Sequence, residues 1–457
     1  MTKIWSEECE VTMQKLQEAI KKHKGLILDA YDYIMKHPET GYREVHTSKY
    51  LEDAFIKLGY KLIKAQDIPG FYTVLDTGKP GPEVLILGEM DALVCPEHPE
   101  ANPVTGAVHC CGHNAQCAAL LGVAAALKES DILEELSGRI RLCAVPAEEL
   151  IELEYRMELR GNGTIHYMGG KQEFLYRGYF DGVDLAFMVH VNAGKQAVIR
   201  NGAVGTMAKR ATYKGVSAHA GGSPWAGRNA LYAANHGLSA INSIRETFME
   251  NDLIRVHPII TQGGNCVNAI PDRVEIESFV RGRTFDVIYE TNKRVNRALC
   301  GGAISLGVQL DITDTYGYAP LVNDEALIQL AMECWPERDN IGIEWQQLIT
   351  TGSTDLGDLS CLMPVVHPYV PGATGKLHGA DYSIKNPEFT CVTSAIWQLS
   401  MLQVLLKDNA ERAQAIVANY KPAFSSKEAY FGCVEQFNSE GERIEYGEDE
   451  KAIVHLI

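Results

Sequence analysis

Between Thr206 and Ile312 the sequence runs strand, helix, strand, strand, helix, strand. Strand-like runs cover Thr206–Tyr213, the stretch near Val256–Thr261, Val274–Val280 and the stretch near Val308–Ile312. Helical spacing runs from Asn229 to about Glu246 and through Tyr289–Ala298. That β-α-β-β-α-β order is a complete split βαβ unit that can fold as an inserted domain. On either side the rhythm differs. Two helices around Ile27–Met35 and Thr47–Leu58 are separated by Pro38 and Gly41. Short apolar runs at Tyr72–Leu75, Val84–Leu87, Ile140–Val145 and Leu185–Val189 then alternate with helical stretches such as Ala115–Leu127. After Pro320 a helix at Ala326–Cys334, a strand at Met363–His367 and a helix at Thr393–Leu406 resume the first pattern. The expected fold is therefore α/β. A discontinuous catalytic domain with a central mixed sheet (1–204 and 317–410) is interrupted by a ferredoxin-like insert (205–316). A polar, acidic extension (411–457) without readable chemistry follows.

A chain of 457 residues has material for more than one core. With 46% hydrophobic and 22% charged residues, neither a disordered chain nor a coiled coil fits. Asp plus Glu number 59 against 42 Lys plus Arg, a formal charge of −17 that opposes phosphate backbones and anionic membranes. Neither nucleic acid nor a membrane is an expected partner. The N-terminal stretch MTKIWSEECEVTMQKLQ mixes charge into every turn and lacks the apolar core of a secretory signal. No uninterrupted apolar run reaches the roughly 18 residues of a membrane span. A cytoplasmic setting is expected, in which the twelve cysteines are buried thiols or ligands rather than disulfides.

The densest group of metal-ligating residue types is His109-Cys110-Cys111-Gly112-His113-Asn114, directly before an apolar helix and about twenty residues after Gly88-Glu89-Met90-Asp91. In an extended segment, period two would put His109, Cys111 and His113 on one face, where a thiolate and an imidazole can meet one ion. The plainer alternative is a pair of buried thiols beside a hydrogen-bonded histidine. At Val145-Pro146-Ala147-Glu148-Glu149 an apolar strand ends in two adjacent carboxylates whose side chains diverge. One can ligate a metal while the other takes a proton, although adjacent glutamates are commonly a solvated face. His190 ends the strand Leu185–Val189, and His378 sits in the glycine-rich turn Pro371–Asp381. Together Cys111, His113, Glu149, His190 and His378 are enough donors for two divalent ions.

The ordered series GEMDAL, HCCGHN, PAEE, a strand-terminal His, SAHAGGSPWAGRNAL, NAIPDRVEI and a late His in a Gly-rich turn resembles the amidohydrolase branch of the dimetal aminoacylase and carboxypeptidase family, from about residue 25 to 405. That branch includes indole-acetyl-amino-acid and p-aminobenzoyl-glutamate hydrolases. The resemblance implies Cys111 in a bridging position, His113, Glu149, His190 and His378 as the other ligands, and Glu148 as general base. It also implies His219 as the oxyanion-stabilising histidine, in many members reaching across a dimer, and Asn268 with Arg281 as the grip on a substrate carboxylate. Asp91 is expected to orient a ligand. The form Gly112-His113-Asn114 is closer to p-aminobenzoyl-glutamate and dipeptide hydrolases than the common GHDGH, which shifts the expected substrate away from auxin conjugates. Cys110 replaces a usual Ala, and the spacer Val94–Ala107 is longer than the pattern leads one to expect.

The expected protein is a homodimeric hydrolase with two divalent ions per subunit, zinc or manganese, and no organic cofactor. It would cleave the amide of an N-acyl or N-aminoacyl amino acid with a free carboxylate. Thiolate and imidazole favour zinc by softness, whereas the carboxylates leave manganese open. Two rival readings are a catalytically inactive binding homologue and a thiol-based redox or zinc-storage protein. The intact Glu148-Glu149 pair speaks against the first, and the lack of a C-x-x-C motif against the second.

Overall fold

A computed structural model describes residues 7–129, 132–336, 340–448 and 451–456. The first six residues of the N-terminal stretch lie outside them. The chain forms two compact units. One comprises Met1–Gly202, Val322–Leu348 and Asp358–Ala423; the other comprises Ala203–Leu321, Ile349–Gly357 and Phe424–Ile457. The α/β class read from the sequence holds.

In the first unit a six-stranded sheet runs in the order Ile63–Lys64, Phe71–Asp76, Arg139–Val145, Glu83–Glu89, Leu185–Phe187, Val365–Val366. The last four of these are mutually parallel, and Phe71–Asp76 joins antiparallel, so the sheet is mixed. Every residue of Glu83–Glu89 is buried, as expected of a central strand covered on both faces. Helices Lys24–Lys36, His113–Glu129 and Pro387–Leu406 pack on one another. The last is long and apolar enough to cross a membrane, yet 94% of its apolar window is buried inside the fold. It is a core helix, started by the Asn386 side chain accepting from Phe389 N–H, with Pro387 in the first turn. Parallel strands present their carboxyl ends together, the usual place for chemistry in such sheets. Here those ends lead into Asp91, Glu148 and His190.

The second unit holds an antiparallel sheet in the order Arg255–Val256, Arg273–Gly282, Gly205–Lys214, Gln309–Tyr318, Ser439–Glu442, with Ile259–Gln262 also on Arg273–Gly282. Helices Ala230–Ile244 and Phe285–Ser305 pack against each other and against these strands. Their starts follow local chemistry, with the Asn229 and Thr284 side chains accepting backbone N–H groups of the first turn.

The structure departs from the expected boundaries at the C-terminus. Residues up to Ala423 belong to the first unit, and the rest adds an outer strand to the second. Arg443 is buried there and donates to Ile312 O at 3.2 Å and Ser439 Oγ at 2.6 Å. The polar composition that made this stretch unreadable suits a short edge strand, which covers the exposed ladder of Gln309–Tyr318.

Candidate active site

The turn carrying the two glutamates is built against local preference. Ala147 takes φ +58°, a left-handed conformation costing a non-glycine residue about 1–2 kcal/mol. Tertiary bonds hold it there: Ala147 N–H donates to Glu44 Oε1 at 2.7 Å, and the buried Arg156 guanidinium donates to the carbonyls of Glu149 and Met168. Arg156 lies on the helix Leu153–Gly161, for which the sequence reading had no expectation. The two side chains diverge. A Glu148 oxygen groups with Glu89 and His113, and a Glu149 oxygen with Cys111 and His378.

His113 opens the helix His113–Glu129 rather than continuing an extended run, and Gly112 before it takes φ +97°. Of the three residues expected on one face, Cys111 and His113 therefore meet but His109 does not. The His109 ring is buried without a hydrogen-bond partner on either nitrogen. Asp91 is fully buried and orients two neighbours. Its backbone and side-chain oxygens lie 2.9 and 3.2 Å from His113 Nδ1, and its other oxygen accepts Glu149 N–H at 2.7 Å. A proton on Nδ1 leaves His113 Nε2 with its lone pair free, and that nitrogen makes no hydrogen bond.

Two triads of donor atoms, each mutually within 4.8 Å, share one sulfur: Cys111 with His113 and His190, and Cys111 with Glu149 and His378. Cys111 Sγ lies 3.2 Å from His190 Nε2, and His378 Nε2 lies 3.3 Å from Glu149 Oε1. His190 opens a short strand, His190–Asn192, instead of ending the preceding one, and pairs in parallel with Tyr369–Pro371. His378 takes φ +62° and its N–H donates to Cys110 O at 3.1 Å, which ties the late turn to the cysteine segment. Thiol, imidazole and carboxylate donors in two groups around one sulfur fit a pair of divalent ions.

Burial, with the nearby carboxylates of Glu89 and Glu149, pushes the Glu148 carboxyl well above its ordinary range. Burial also opposes ionisation of Glu149, but hydrogen bonding and charge from His378, with His113 and Cys111, together outweigh it and bring the carboxyl down to about 2. Burial is the main cause that lowers His190 to about 4, which keeps that imidazole neutral and able to ligate.

Two residues with no assigned role from sequence complete this group. Glu89, at the end of the central strand, is fully buried and lies 3.2 Å from His113 Nε2. It accepts from Lys171 Nζ at 2.5 Å and Gln116 Nε2 at 2.7 Å. Lys171 is itself fully buried on the short helix Gly170–Tyr176. The signal for Glu89 was its place in GEMD at a strand end; Lys171 had none. Lys171→Met is expected to lower the unfolding free energy by about 3–5 kcal/mol, because Glu89 would keep a buried charge without its cation. Urea melts measure this, and a loss under about 1 kcal/mol would show that Glu89 does not depend on the ammonium.

The remaining expected residues lie in the second unit. His219 Nδ1 accepts from Gly221 N–H at 3.2 Å and Gly222 N–H at 2.9 Å, which puts the ring proton on Nε2. Ala220 N–H donates to Asn268 O at 2.9 Å, so the loops carrying His219 and Asn268 are joined. Arg281, on Arg273–Gly282, donates to Ser353 Oγ at 3.0 Å and approaches His257 Nε2 at 3.3 Å.

Residues 85–399, more than half of the chain, match the sequence profile of peptidase family M20/M25/M40. Among curated proteins the chain is 27% identical over 344 residues to an Xaa-Arg dipeptidase of Mus musculus, covering 75% of this chain and 71% of that protein. It is 30% identical over 259 residues to the indole-3-acetyl-aspartic acid hydrolase of Enterobacter agglomerans, covering 53% and 54%. An auxin-conjugate hydrolase is thus among the relatives despite the GHN form. Among solved structures, a dinuclear metal-binding peptidase of the M20 family from Bacillus subtilis superposes with a TM-score of 0.63 at 20% identity, over 84% of this chain and 99% of that one. The chain therefore belongs to peptidase family M20/M25/M40, and is a metal-dependent hydrolase of amide bonds.

Proposed function

We propose that this protein cleaves the amide between an acyl or aminoacyl group and an amino acid whose carboxylate is free. The single observation that carries the reading is the sulfur of Cys111 shared by two donor triads, with the Glu148 carboxyl beside them. Cys111, His113, Glu149, His190 and His378 would hold two divalent ions, zinc or manganese. When bound, these would polarise the scissile carbonyl and acidify the attacking water. Glu148 accepts the water's proton and later delivers it to the leaving amine, a task suited to a carboxyl whose proton affinity is raised by burial. Asp91 holds the His113 ring and the Glu149 backbone in register. His219 offers an Nε2–H donor for the developing oxyanion, and Asn268 with Arg281 grips the substrate carboxylate. The dipeptidase and the acyl-aspartate hydrolase named above both act on amides of amino acids, which supports this substrate class. A cytoplasmic homodimer is the proposed setting.

Screening N-acyl amino acids and dipeptides against metal-reconstituted protein, with released amines quantified, tests the reading. Failure of every substrate with a free carboxylate would overturn it. The dimeric part has its own test. If His219 serves a neighbouring subunit, mixing inactive His219→Ala with inactive Glu148→Gln should restore activity. Each heterodimer would then contain one site with both functions and one with neither. If subunit exchange is verified and the mixture stays inactive, His219 does not act across a dimer.

A further inference from the structure

Glu44 stands at the N-cap position of the helix Val45–Lys57, where a side chain usually accepts a first-turn N–H, yet it makes no such cap. Its fully buried carboxylate turns to the glutamate turn instead and accepts Ala147 N–H at 2.7 Å. The residues leading to it are shaped for that approach. Tyr42 takes φ +63°, and its hydroxyl donates to Tyr167 O at 3.0 Å. Gly41 passes so close that a Cβ there would stand 2.9 Å from Ala147 Cα and would also meet the Arg156 guanidinium, an approach open only to glycine. A stretch that gives up its own cap and takes left-handed backbone to reach one distant N–H breaks local rules in the way functional sites do.

The anchors of the two glutamates are separate. Upstream, the strand Arg139–Val145 is locked between two neighbours in the sheet. Downstream, Glu149 is held at its N–H by Asp91 at 2.7 Å and at its carbonyl by Arg156. Between these fixed ends Ala147 O keeps only longer contacts, to Gly170 N–H at 3.2 Å and Arg156 Nη1 at 3.5 Å. A relaxation of Ala147 from φ +58° to ordinary negative φ is therefore taken up at Glu148.

We propose that Glu44 is the positioning residue of the general base. By holding Ala147 left-handed it aims the Glu148 carboxyl, while Glu149 keeps its place through Asp91 and Arg156. The inference rests on the base role given to Glu148 above. Loss of the Glu44 bond slows the proton transfer and leaves the metal sites intact.

Glu44→Asp and Glu44→Gln separate reach from charge. The aspartate keeps the carboxylate but withdraws its oxygen by one methylene, out of hydrogen-bond range of Ala147 N–H. The glutamine keeps the reach and an acceptor oxygen and gives up the charge. Glu44→Asp should lower kcat by about five- to thirtyfold, the factor by which left-handed backbone disfavours a non-glycine residue, with KM and metal content unchanged. Glu44→Gln should keep kcat within about twofold, since the bond to Ala147 N–H survives. Adding Ala147→Gly to Glu44→Asp should raise kcat again by at least about fivefold, because glycine takes this backbone without the penalty. Asp67→Gly, added in its place, is the control. Asp67 is exposed and also left-handed, φ +59°, so glycine there gives the fold a similar gain without touching the turn, and it should restore nothing. Unchanged kcat in Glu44→Asp, an equal fall in Glu44→Gln, metal lost together with kcat, no recovery with Ala147→Gly, or recovery with Asp67→Gly would each overturn the proposal. Glu148→Gln tells the two readings apart. Turnover retained there overturns the base role itself, whereas an inactive Glu148→Gln beside an unimpaired Glu44→Asp overturns only the positioning by Glu44.

Discussion

Glu148→Gln is expected to lower kcat by about 10²–10⁴-fold, the usual worth of a positioned acid–base group, while the metal content stays that of the unsubstituted protein. The amide keeps the volume and one acceptor oxygen of the carboxylate, so the turn held by Glu44 and Arg156 has no reason to rearrange. Only the proton-accepting capacity goes. Metal loading should survive because the donor oxygen in the Cys111–Glu149–His378 triad belongs to the neighbouring residue. Metal analysis beside steady-state kinetics checks both halves. Retention of more than about a tenth of kcat would remove Glu148 from the base role, and loss of metal would make it a ligand instead.

Cys111→Ala is expected to release at least one metal equivalent per subunit and to abolish turnover, whereas Cys110→Ala should keep full loading. The two thiols are adjacent and both buried, yet only the Cys111 sulfur enters donor triads, and it enters two. Removing it takes one donor from each group, leaving His113 with His190 and Glu149 with His378. Two donors hold a divalent ion far less firmly than the three or four usual in protein sites. Burial and the neighbouring Cys95 raise the Cys110 thiol to about 12, which keeps it a neutral core group. Equal metal loss in both variants, measured by elemental analysis after dialysis, would show that the assignment between the two sulfurs is wrong.

Most members of the two donor triads were legible because metal-ligating residue types are uncommon in apolar surroundings. Cys111, His113, Glu149 and His190 each stand next to a recognisable strand or helix, and His378 stands in a marked turn. His109 was the misleading member. Two-residue spacing is informative only while the backbone stays extended, and Gly112, with φ +97°, turns the chain into a helix before the pattern completes. Lys171 and Arg156 were illegible for a different reason. A basic residue in a polar stretch reads as solvated, and only a folded neighbourhood can bury it against Glu89 or against backbone carbonyls.

Local sequence alone determined most of the strands and helices, the β-α-β-β-α-β order of the inserted block, and the residue types of the candidate donors. These depend on side-chain periodicity, turn residues and composition, all properties of short stretches. Tertiary structure decided which donor atoms come within reach of one another, bringing the cysteine segment, the ends of the strands Arg139–Val145 and Leu185–Phe187 and the late turn together from distant parts of the chain. It also decided that the turn at Ala147 could be held left-handed, and that the polar C-terminal stretch would pair as an edge strand on Gln309–Tyr318. Those outcomes rest on hydrogen bonds and burial between segments up to about a hundred residues apart or more. No periodicity within one segment encodes the partner it will find.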